Sequence, residues 1–144
     1  MTTINRSALV EYSAEQMFDL VNDVENYPQF MQGCRSAKVL SQSDEELVGE
    51  LCLSKAGISQ SFTTRNTLHR PTQIDMSLVE GNFSKFSARW EFVALTETAC
   101  KISLSMEFEF KSGLVDYAAS KLFSSSANNL VDAIVERAKL VYSN

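Results

Sequence analysis

Residues 100–111 read CKISLSMEFEFK, and the strict alternation in this stretch decides the fold. Apolar side chains occupy the even positions, and polar or charged side chains fill the odd positions between them. The even set includes Ile102, Leu104, Met106, Phe108 and Phe110. A period of two places these apolar side chains on one face of an extended chain. The stretch therefore predicts one long β-strand with a buried face and a solvated face.

The same alternation recurs upstream in shorter strands. Phe86, Ala88, Trp90 and Phe92 share one face, as do Ile74, Met76 and Leu78, and weaker strand patterns cover residues 36–40, 47–53 and 58–68. Turns are marked by Arg70-Pro71-Thr72, Gly81-Asn82 and Thr96-Glu97-Thr98. Connections this short exclude parallel crossovers, so a curved antiparallel meander of about six to seven strands is predicted.

After Gly113 the apolar period changes to 3.6 and holds as far as Tyr142. The stripe consists of Leu114, Ala118, Leu122, Ala127, Leu130, Ile134, Ala138 and Val141. This pattern predicts a helix of roughly 40 Å, long enough to cross the concave face of the sheet. The poor helix formers Ser124, Ser125 and Ser126 predict a bend or a loosening in its middle.

The N-terminal segment predicts a strand over residues 3–12 followed by two short helices. Ser13 and Gln16 have the spacing of a capping box, so the first helix is expected to begin near Ala14. A second short helix is expected over residues 24–31, with Pro28 in its first turn and its end at Gly33. The predicted class is α+β, as a single domain over residues 1–144.

Composition excludes several classes of protein. The 144 residues contain no apolar run near the roughly 20 needed to span a bilayer, and the N-terminus does not resemble a signal peptide, so a cytoplasmic location is expected. Cys34, Cys52 and Cys100 are odd in number and widely spaced, which indicates reduced, structural thiols. A net charge of −5 and a pI near 4.9 disfavour DNA as a partner.

The residues that catalysis needs are few. His69 is the only histidine and lies beside the expected Arg70-Pro71 turn, where a solvated role is more common than a general base. The five glycines are scattered, without a phosphate-binding loop or a known hydrolase motif. The carboxylates fall in turns and on solvated faces, and no converging set for a metal is expected. We therefore expect a binding protein that needs no cofactor or metal.

The apolar lining is extensive, and it allows two interpretations. The sheet would turn large side chains inward, while the helix presents the small Ala118, Ala119, Ala127 and Ala138. Such a combination either fills a closed core or leaves a tunnel for an apolar ligand. The candidate lining residues from the sheet and the helix are Phe62, Met76, Leu78, Trp90, Phe92, Leu104, Met106, Phe108, Leu122 and Leu130.

The predicted order of elements is that of the helix-grip fold of the START-like superfamily of lipid-transfer and polyketide-cyclase-type proteins. Three segments resemble a particular family within it: residues 7–34 (SALVEYSAEQMFDLVNDVENYPQFMQGC), 53–66 (LSKAGISQSFTTRN) and 128–142 (NNLVDAIVERAKLVY). On these motifs the chain is similar to the family of bacterial ribosome association toxins and mitochondrial coenzyme Q-binding proteins. The resemblance covers nearly the whole chain.

The resemblance implies two non-enzymatic roles. The shared role is an apolar tunnel between sheet and helix that accepts ubiquinone or a similar isoprenoid lipid in support of respiration, with transient membrane contact. The toxin branch binds the large ribosomal subunit and blocks its association with the small one, which inhibits translation. The alternative is a ubiquinone or lipid chaperone without ribosome binding, while an enzyme of the cyclase or hydratase type rests on superfamily analogy alone.

The resemblance also assigns residues. Tyr27, Pro28 and Phe30 match the family's helix motif at the tunnel mouth, although a purely structural anchor fits them equally well. Phe62, Thr64 and Arg65 match its strand motif, and alternation turns Phe62 inward and Arg65 outward. An acidic chain must meet the anionic ribosome either through a local basic stripe or through ribosomal proteins. The candidate stripe consists of Lys55, Arg65, Arg70, Lys85 and Arg89.

Overall fold

A computed structural model of the protein describes residues 2–111 and 117–142. Within these ranges the chain forms seven strands, two α-helices and one 3₁₀ helix. The strands are β1 (Thr2–Val10), β2 (Cys34–Gln42), β3 (Glu46–Lys55), β4 (Ile58–His69), β5 (Gln73–Glu80), β6 (Phe83–Thr96) and β7 (Ala99–Phe110). The α-helices are α1 (Ala14–Asn22) and α2 (Tyr117–Val141), and the 3₁₀ helix covers Val24–Gln29.

The strands form one antiparallel sheet in the order β1-β7-β6-β5-β4-β3-β2. Sequence neighbours pair from β2 to β7, and β1 returns to pair with β7, with Val10 opposite Cys100 and Thr2 opposite Phe108. The predicted α+β helix-grip architecture and the antiparallel meander are therefore confirmed. The connections from β2 to β7 are too short for the crossover that parallel pairing needs.

The core lies between the concave face of the sheet and the helices. Cys100, Ile102, Leu104, Met106 and Phe108 are buried, while the side chains between them are partly or fully exposed, so the alternation predicted for this strand is confirmed. A single group of contacting buried residues extends from Ile4 to Ala138. The strands and α2 thus share one hydrophobic core.

The middle of α2 packs across the sheet, but its ends do not. Leu122, Ala127, Leu130, Ile134 and Ala138 are buried as the stripe predicts. Ala118 and Val141 are exposed, contrary to prediction, because a helix of 25 residues extends past the surface that covers its middle turns. The remaining member of the stripe, Leu114, lies outside the described residues.

The serine run does not interrupt α2, which is continuous through residues 124–126. Ser126 is buried against Gly33, where a Cβ atom would lie only 2.9 Å from Ser126 Oγ. Gly33 also has a φ of +80°, which favours glycine. The small serine therefore serves close packing of α2 against the turn before β2. The predicted loosening is not seen, and the alternative of a bend stays a prediction.

The short helices follow the sequence signals with one correction. Ser13 and Gln16 form the predicted capping box, since Gln16 N–H donates to Ser13 Oγ (3.1 Å) and Ser13 N–H donates to Gln16 Oε1 (2.9 Å). Pro28 is the fifth of six residues in the 3₁₀ helix, not in its first turn. Hydrogen bonds on both sides of it, from Asn26 to Asp23 and from Phe30 to Tyr27, hold the helix without the missing N–H.

Candidate functional site: an interior pocket and a polar sheet face

A narrow pocket lies inside the molecule between the sheet, α1 and the 3₁₀ helix. Its volume is about 30 Å³, which is enough for one or two water molecules and far too small for an isoprenoid chain. Trp90, Ile74 and Met76 form its floor. The remaining lining residues are Val21, Val24, Tyr27, Gly49, Leu51, Thr64 and Asn66. Of the two interpretations of the apolar pattern, this conformation has the closed core.

One wall of the pocket is polar. Thr64 and Asn66 lie on the inner face of β4, both are buried, and Thr64 Oγ1 donates a hydrogen bond to Asn66 Oδ1 (2.9 Å). Asn66 was not among the lining residues predicted from sequence. The signal was present, because the inward register of β4 runs from Phe62 through Thr64 and Asn66 to Leu68. Two polar residues inside an otherwise apolar register indicate a place where the core meets a polar group.

The 3₁₀ helix closes the pocket from above. Tyr27 is buried, and its hydroxyl donates a hydrogen bond to the Val21 carbonyl at the end of α1 (2.6 Å). Burial raises the pKa of the Tyr27 hydroxyl, so it stays protonated as a donor. Opposite the helix, Gly49 has no side chain to keep β3 away, and a Cβ there would lie 3.4 Å from Val24 Cγ1. The absent side chain lets the 3₁₀ helix sit directly on the sheet.

The predicted lining residues separate into two regions of the core. Tyr27, Met76 and Trp90 line the pocket. Phe62 and Phe108 belong instead to a ring cluster with Phe83, Phe86, Phe110 and Phe123. Phe92 stacks on Trp90, while Leu104, Met106, Leu122 and Leu130 are buried in the shared core. Phe30 and Leu78 are only partly buried at the periphery.

The ring cluster fills space that an open tunnel would need. Phe123 of α2 contacts Phe108 at 4.7 Å, Phe83 at 5.1 Å and Phe62 at 5.3 Å between ring centroids, mostly edge to face. Such pairs contribute roughly 0.5–1.5 kcal/mol each beyond the area they bury. Phe83 and Phe123 were missed from sequence, since neither follows the stripe or the alternation that selected their neighbours.

Two further polar side chains are buried in the core without partners. Both amide atoms of Gln60 and the hydroxyl of Ser126 are buried and find no hydrogen-bond partner in the part of the chain that the structure describes. Leaving such a group unsatisfied costs about 1–3 kcal/mol. Gln60 lies two residues before Phe62 on the inner face of β4, and Ser126 lies one turn after Phe123 on α2. Because Phe62 contacts Phe123, both polar side chains lie near the interface between β4 and α2.

The five candidate basic residues do not form one stripe. Lys55 and Arg70 lie beyond opposite ends of β4, which at about 3.3 Å per residue places them roughly 40 Å apart. Arg65 Nε binds Glu46 (3.0 Å), Arg89 Nε binds Asp75 (2.7 Å), and Arg70 binds Asp19 and stacks over Phe18. Lys85 lies opposite Glu109 in the β6–β7 register. Neighbouring carboxylates therefore offset most of this positive charge.

The outer face of the sheet carries a shallow polar groove of about 550 Å³. Short hydroxyl and amide side chains dominate it, including Thr3, Asn5, Ser87 and Ser105. Arg89, Asp75, Glu91 and Glu107 supply the charges. The surface offers many hydrogen-bonding groups, and its one arginine and three carboxylates give the groove lining a net charge of −2.

The side chains suited to catalysis remain dispersed. His69 is exposed at the end of β4, with Nε2 at 3.5 Å from Asp75 Oδ2. Within residues 2–111 and 117–142, no three His, Cys, Asp or Glu side chains converge in a way that would hold a metal ion. None of the helices in those ranges is long and apolar enough to cross a bilayer.

Comparison with known proteins places this fold in a family. Residues 10–135 match the family described as polyketide cyclase / dehydrase and lipid transport. The ribosome association toxin RatA of Vibrio cholerae is 49% identical over 142 residues, which cover 99% of both chains. RatA of Escherichia coli K12 is 46% identical over 143 residues, covering 99% of this chain and 90% of the relative. The chain belongs to the polyketide cyclase/dehydrase and lipid transport family, in the branch that contains the ribosome association toxins.

More distant relatives share the fold. The mitochondrial coenzyme Q-binding protein COQ10 homolog B of Xenopus laevis is 27% identical over 142 residues, covering 96% of this chain and 58% of the relative. A START superfamily protein from Mycobacterium smegmatis superposes with a TM-score of 0.78 at 22% identity, over 96% and 98% of the two chains. The Zhui aromatase/cyclase of Streptomyces sp. R1128 superposes with a TM-score of 0.80 at 16% identity, over 99% and 98%.

Proposed function

We propose that this protein binds the large ribosomal subunit in the cytoplasm and blocks its association with the small subunit, thereby inhibiting translation. The observation that carries the proposal is the 49% identity, over 99% of both chains, to a protein named ribosome association toxin. The dispersed titratable side chains support a binding role over an enzymatic one. The proposed contact is the outer sheet face, with its polar groove and with Arg89 and Lys85 along β6.

This contact surface is consistent with the charge of the chain. The Arg89–Asp75 pair is made through Nε, and about half of the Arg89 side chain is exposed to solvent. The surrounding serine, threonine and asparagine side chains can donate to phosphate, sugar or protein acceptors. The surface therefore favours many weak polar contacts over neutralisation of phosphates.

Sedimentation of a cell lysate through a sucrose gradient tests the proposal. Added protein is expected to travel with the large subunit and to deplete joined ribosomes. The double variant Lys85→Glu/Arg89→Glu should stay at the top of the gradient, while Lys121→Glu/Lys139→Glu, an equal charge change on α2, should act like the parent protein. Protein that never leaves the top of the gradient would overturn the proposal, and equal effects of the two double variants would move the contact away from β6.

A second function, binding of ubiquinone or a similar isoprenoid lipid, is favoured by the interior pocket. The polar wall of Thr64 and Asn66 faces the apolar Trp90 and Ile74. A quinone headgroup has carbonyl oxygens on a flat ring, so the polar wall suits the oxygens and the apolar side suits the ring. At about 30 Å³ the pocket admits a ligand only if the 3₁₀ helix or α2 moves away from the sheet. In this role the chain needs no other cofactor.

The single tryptophan makes this second function measurable. Trp90 is the only tryptophan of the chain and lies on the pocket floor, so a quinone bound there should quench its fluorescence. Titration with a short-chain ubiquinone is expected to give saturable quenching that weakens in Asn66→Leu and is unchanged in Asn5→Leu, a control on the outer face. Quenching that rises linearly without saturation would show collision with solvent quinone only, and would remove the second function.

A further inference from the structure

A second depression lies on the surface where the 3₁₀ helix and the turn after it meet α2. Its volume is about 360 Å³. Gln29, Phe30 and Gln32 form one side, and Asn129, Ala133 and Arg137 of α2 form the other. This groove is separate from the interior pocket and from the outer sheet face, and neither proposed function uses it.

Arg137 is the unusual group in the groove. Its guanidinium carbon lies 5.5 Å from the centroid of the Phe30 ring, and its Nε is buried without a hydrogen-bond acceptor. No ion pair is found for Arg137 within the described part of the chain. A charged, partly buried donor that lacks an acceptor is costly, and native proteins contain few of them.

The carboxylates nearby do not satisfy Arg137. Glu136 also lines the groove, but its Oε1 accepts from Lys139 Nζ at 3.1 Å, and Asp132 is exposed at the rim. The guanidinium therefore stays over Phe30, and its Nε has no acceptor among the described residues. A guanidinium placed in this way by a neighbouring ring can bind a carboxylate or a phosphate with two parallel bonds.

The rest of the groove suits an apolar chain. Phe30 and Ala133 line it, and Leu140, which is 75% exposed, continues the apolar surface along α2. A volume of about 360 Å³ is at the low end of the range for small-molecule sites and is too small for a folded partner segment. The groove thus joins the Arg137 guanidinium to a short apolar surface, with Asp132 and the Lys139-paired Glu136 at its edge.

We propose that this groove binds a small amphiphile that carries a single carboxylate or phosphate on a short apolar chain. The anionic group binds Arg137, and the chain lies along Phe30, Ala133 and Leu140. Carboxylate and phosphate share the geometry that the guanidinium recognises, so the structure assigns the anionic class and the experiment separates the two groups.

The test compares octanoate, octyl phosphate and octanol, which have the same chain and differ in the headgroup. Each is titrated into ¹⁵N-labelled protein below its critical micelle concentration, and the side-chain amides of Gln29, Gln32 and Asn129 report on the groove. One or both anions are expected to bind about tenfold or more tightly than octanol, as a charge-assisted contact requires. The tighter of the two identifies the headgroup.

Two variants decide whether Arg137 provides the recognition. Arg137→Gln should reduce anion binding about tenfold and leave octanol binding unchanged, because the apolar surface remains. Lys121→Gln, which removes one exposed positive charge from the same helix, should change neither, and circular dichroism should show that both variants are folded. Equal affinity for octanol and the anions, an equal loss in Lys121→Gln, or no shift at the three amides would overturn the proposal.

Discussion

At the scale of single residues, Tyr27 keeps the pocket closed both by packing and by hydrogen bonding. Tyr27 packs its ring against Phe30, with 5.2 Å between the ring centroids, and its hydroxyl also holds the last turn of α1. The Val21 carbonyl that accepts this bond lies near the C-terminus of α1, where carbonyls lack partners within the helix. One side chain therefore fixes the 3₁₀ helix over the pocket and completes the end of α1.

Replacing Tyr27 with phenylalanine tests the hydrogen bond apart from the packing. Tyr27→Phe is expected to lower the free energy of unfolding by about 1–2 kcal/mol, because the ring stays and a buried carbonyl loses its donor. Urea denaturation followed by circular dichroism measures the change. Tyr12→Phe is the matched control, since the Tyr12 ring packs on Tyr142 and no hydrogen bond of its hydroxyl is found among residues 2–111 and 117–142. Equal losses in both variants would show that the Tyr27 hydroxyl adds nothing specific.

The three free thiols differ in environment. Cys52 is partly exposed, and hydrogen bonding by Ser61 and Ser59 lowers the pKa of its thiol. Burial raises the pKa of the Cys34 thiol to about 11 and raises the pKa of the Cys100 thiol as well. Because the thiolate is the reactive species, a lower pKa increases the reactive fraction at a given pH, and a higher pKa decreases it.

Alkylation with iodoacetamide between pH 7 and pH 9 should therefore modify Cys52 first. With a pKa of about 11, only about one Cys34 thiol in a thousand is ionised at pH 8, and burial slows its reaction further. Mass spectrometry of digested protein gives the rate at each cysteine, and Cys52→Ser should remove the fast phase. Modification of Cys34 or Cys100 at the rate of Cys52 in folded protein would contradict the assignment.

At the scale of elements, Phe123 is the side chain of α2 that joins the helix to the ring cluster. Its ring meets Phe62 of β4, Phe83 of β6 and Phe108 of β7, so one side chain joins three strands to the helix. Farther along α2, Ser126 packs on Gly33, and Leu130, Val131 and Ile134 are buried in the shared core. The ring cluster is thus one of several contacts that hold the helix on the sheet.

Shortening Phe123 should loosen α2. Phe123→Ala is expected to lower the free energy of unfolding by about 3–5 kcal/mol, and Phe123→Leu by less, because a fully packed ring leaves a cavity. The milder variant should also bind the dye 1-anilinonaphthalene-8-sulfonate more strongly than the parent, as α2 separates from the sheet. Tyr117→Leu, at an exposed position in the first turn of α2, is the control and should change neither measurement. A fully stable Phe123→Leu with unchanged dye binding would show that Phe123 is not the anchor.

The elements were largely predictable from sequence, while the site was not. Alternation in residues 100–111 and the capping box at Ser13 act over short distances, and the structure agrees with both. Two local predictions were wrong. Pro28 lies late in its helix because that helix is a 3₁₀ helix, and Ala118 is exposed because the sheet does not extend far enough to cover it. Whether a tunnel is open depends on how Phe83 and Phe123 fill space between distant segments, which no local pattern reports.

At the scale of the whole molecule, the charge is unevenly distributed. Residues 11–25 contain Glu11, Glu15, Asp19, Asp23 and Glu25 and no lysine or arginine, so this segment accounts for the whole net charge of −5. Elsewhere 13 carboxylates balance the 13 basic residues. The acidic segment covers α1 and the start of the 3₁₀ helix, whereas the proposed ribosome contact is on the outer sheet face. The largest concentration of negative charge therefore lies away from the contact, although the groove also carries Asp75, Glu91 and Glu107 beside Arg89.

This distribution predicts a weak salt dependence for ribosome binding. If five basic residues each neutralised a phosphate, the released counterions would give a slope near −4 for log K against log [salt]. Arginines already paired with Glu46, Asp19 and Asp75 neutralise fewer phosphates, so fewer counterions are released. We expect a slope shallower than about −2 when binding to purified large subunits is measured by pelleting at increasing KCl. Asp75→Asn, which removes the partner of Arg89, should steepen the slope, and Asp132→Asn, on α2, should not. A slope of −4 in the parent protein would mean that these ion pairs open on the ribosome, and the contact would then be phosphate neutralisation after all.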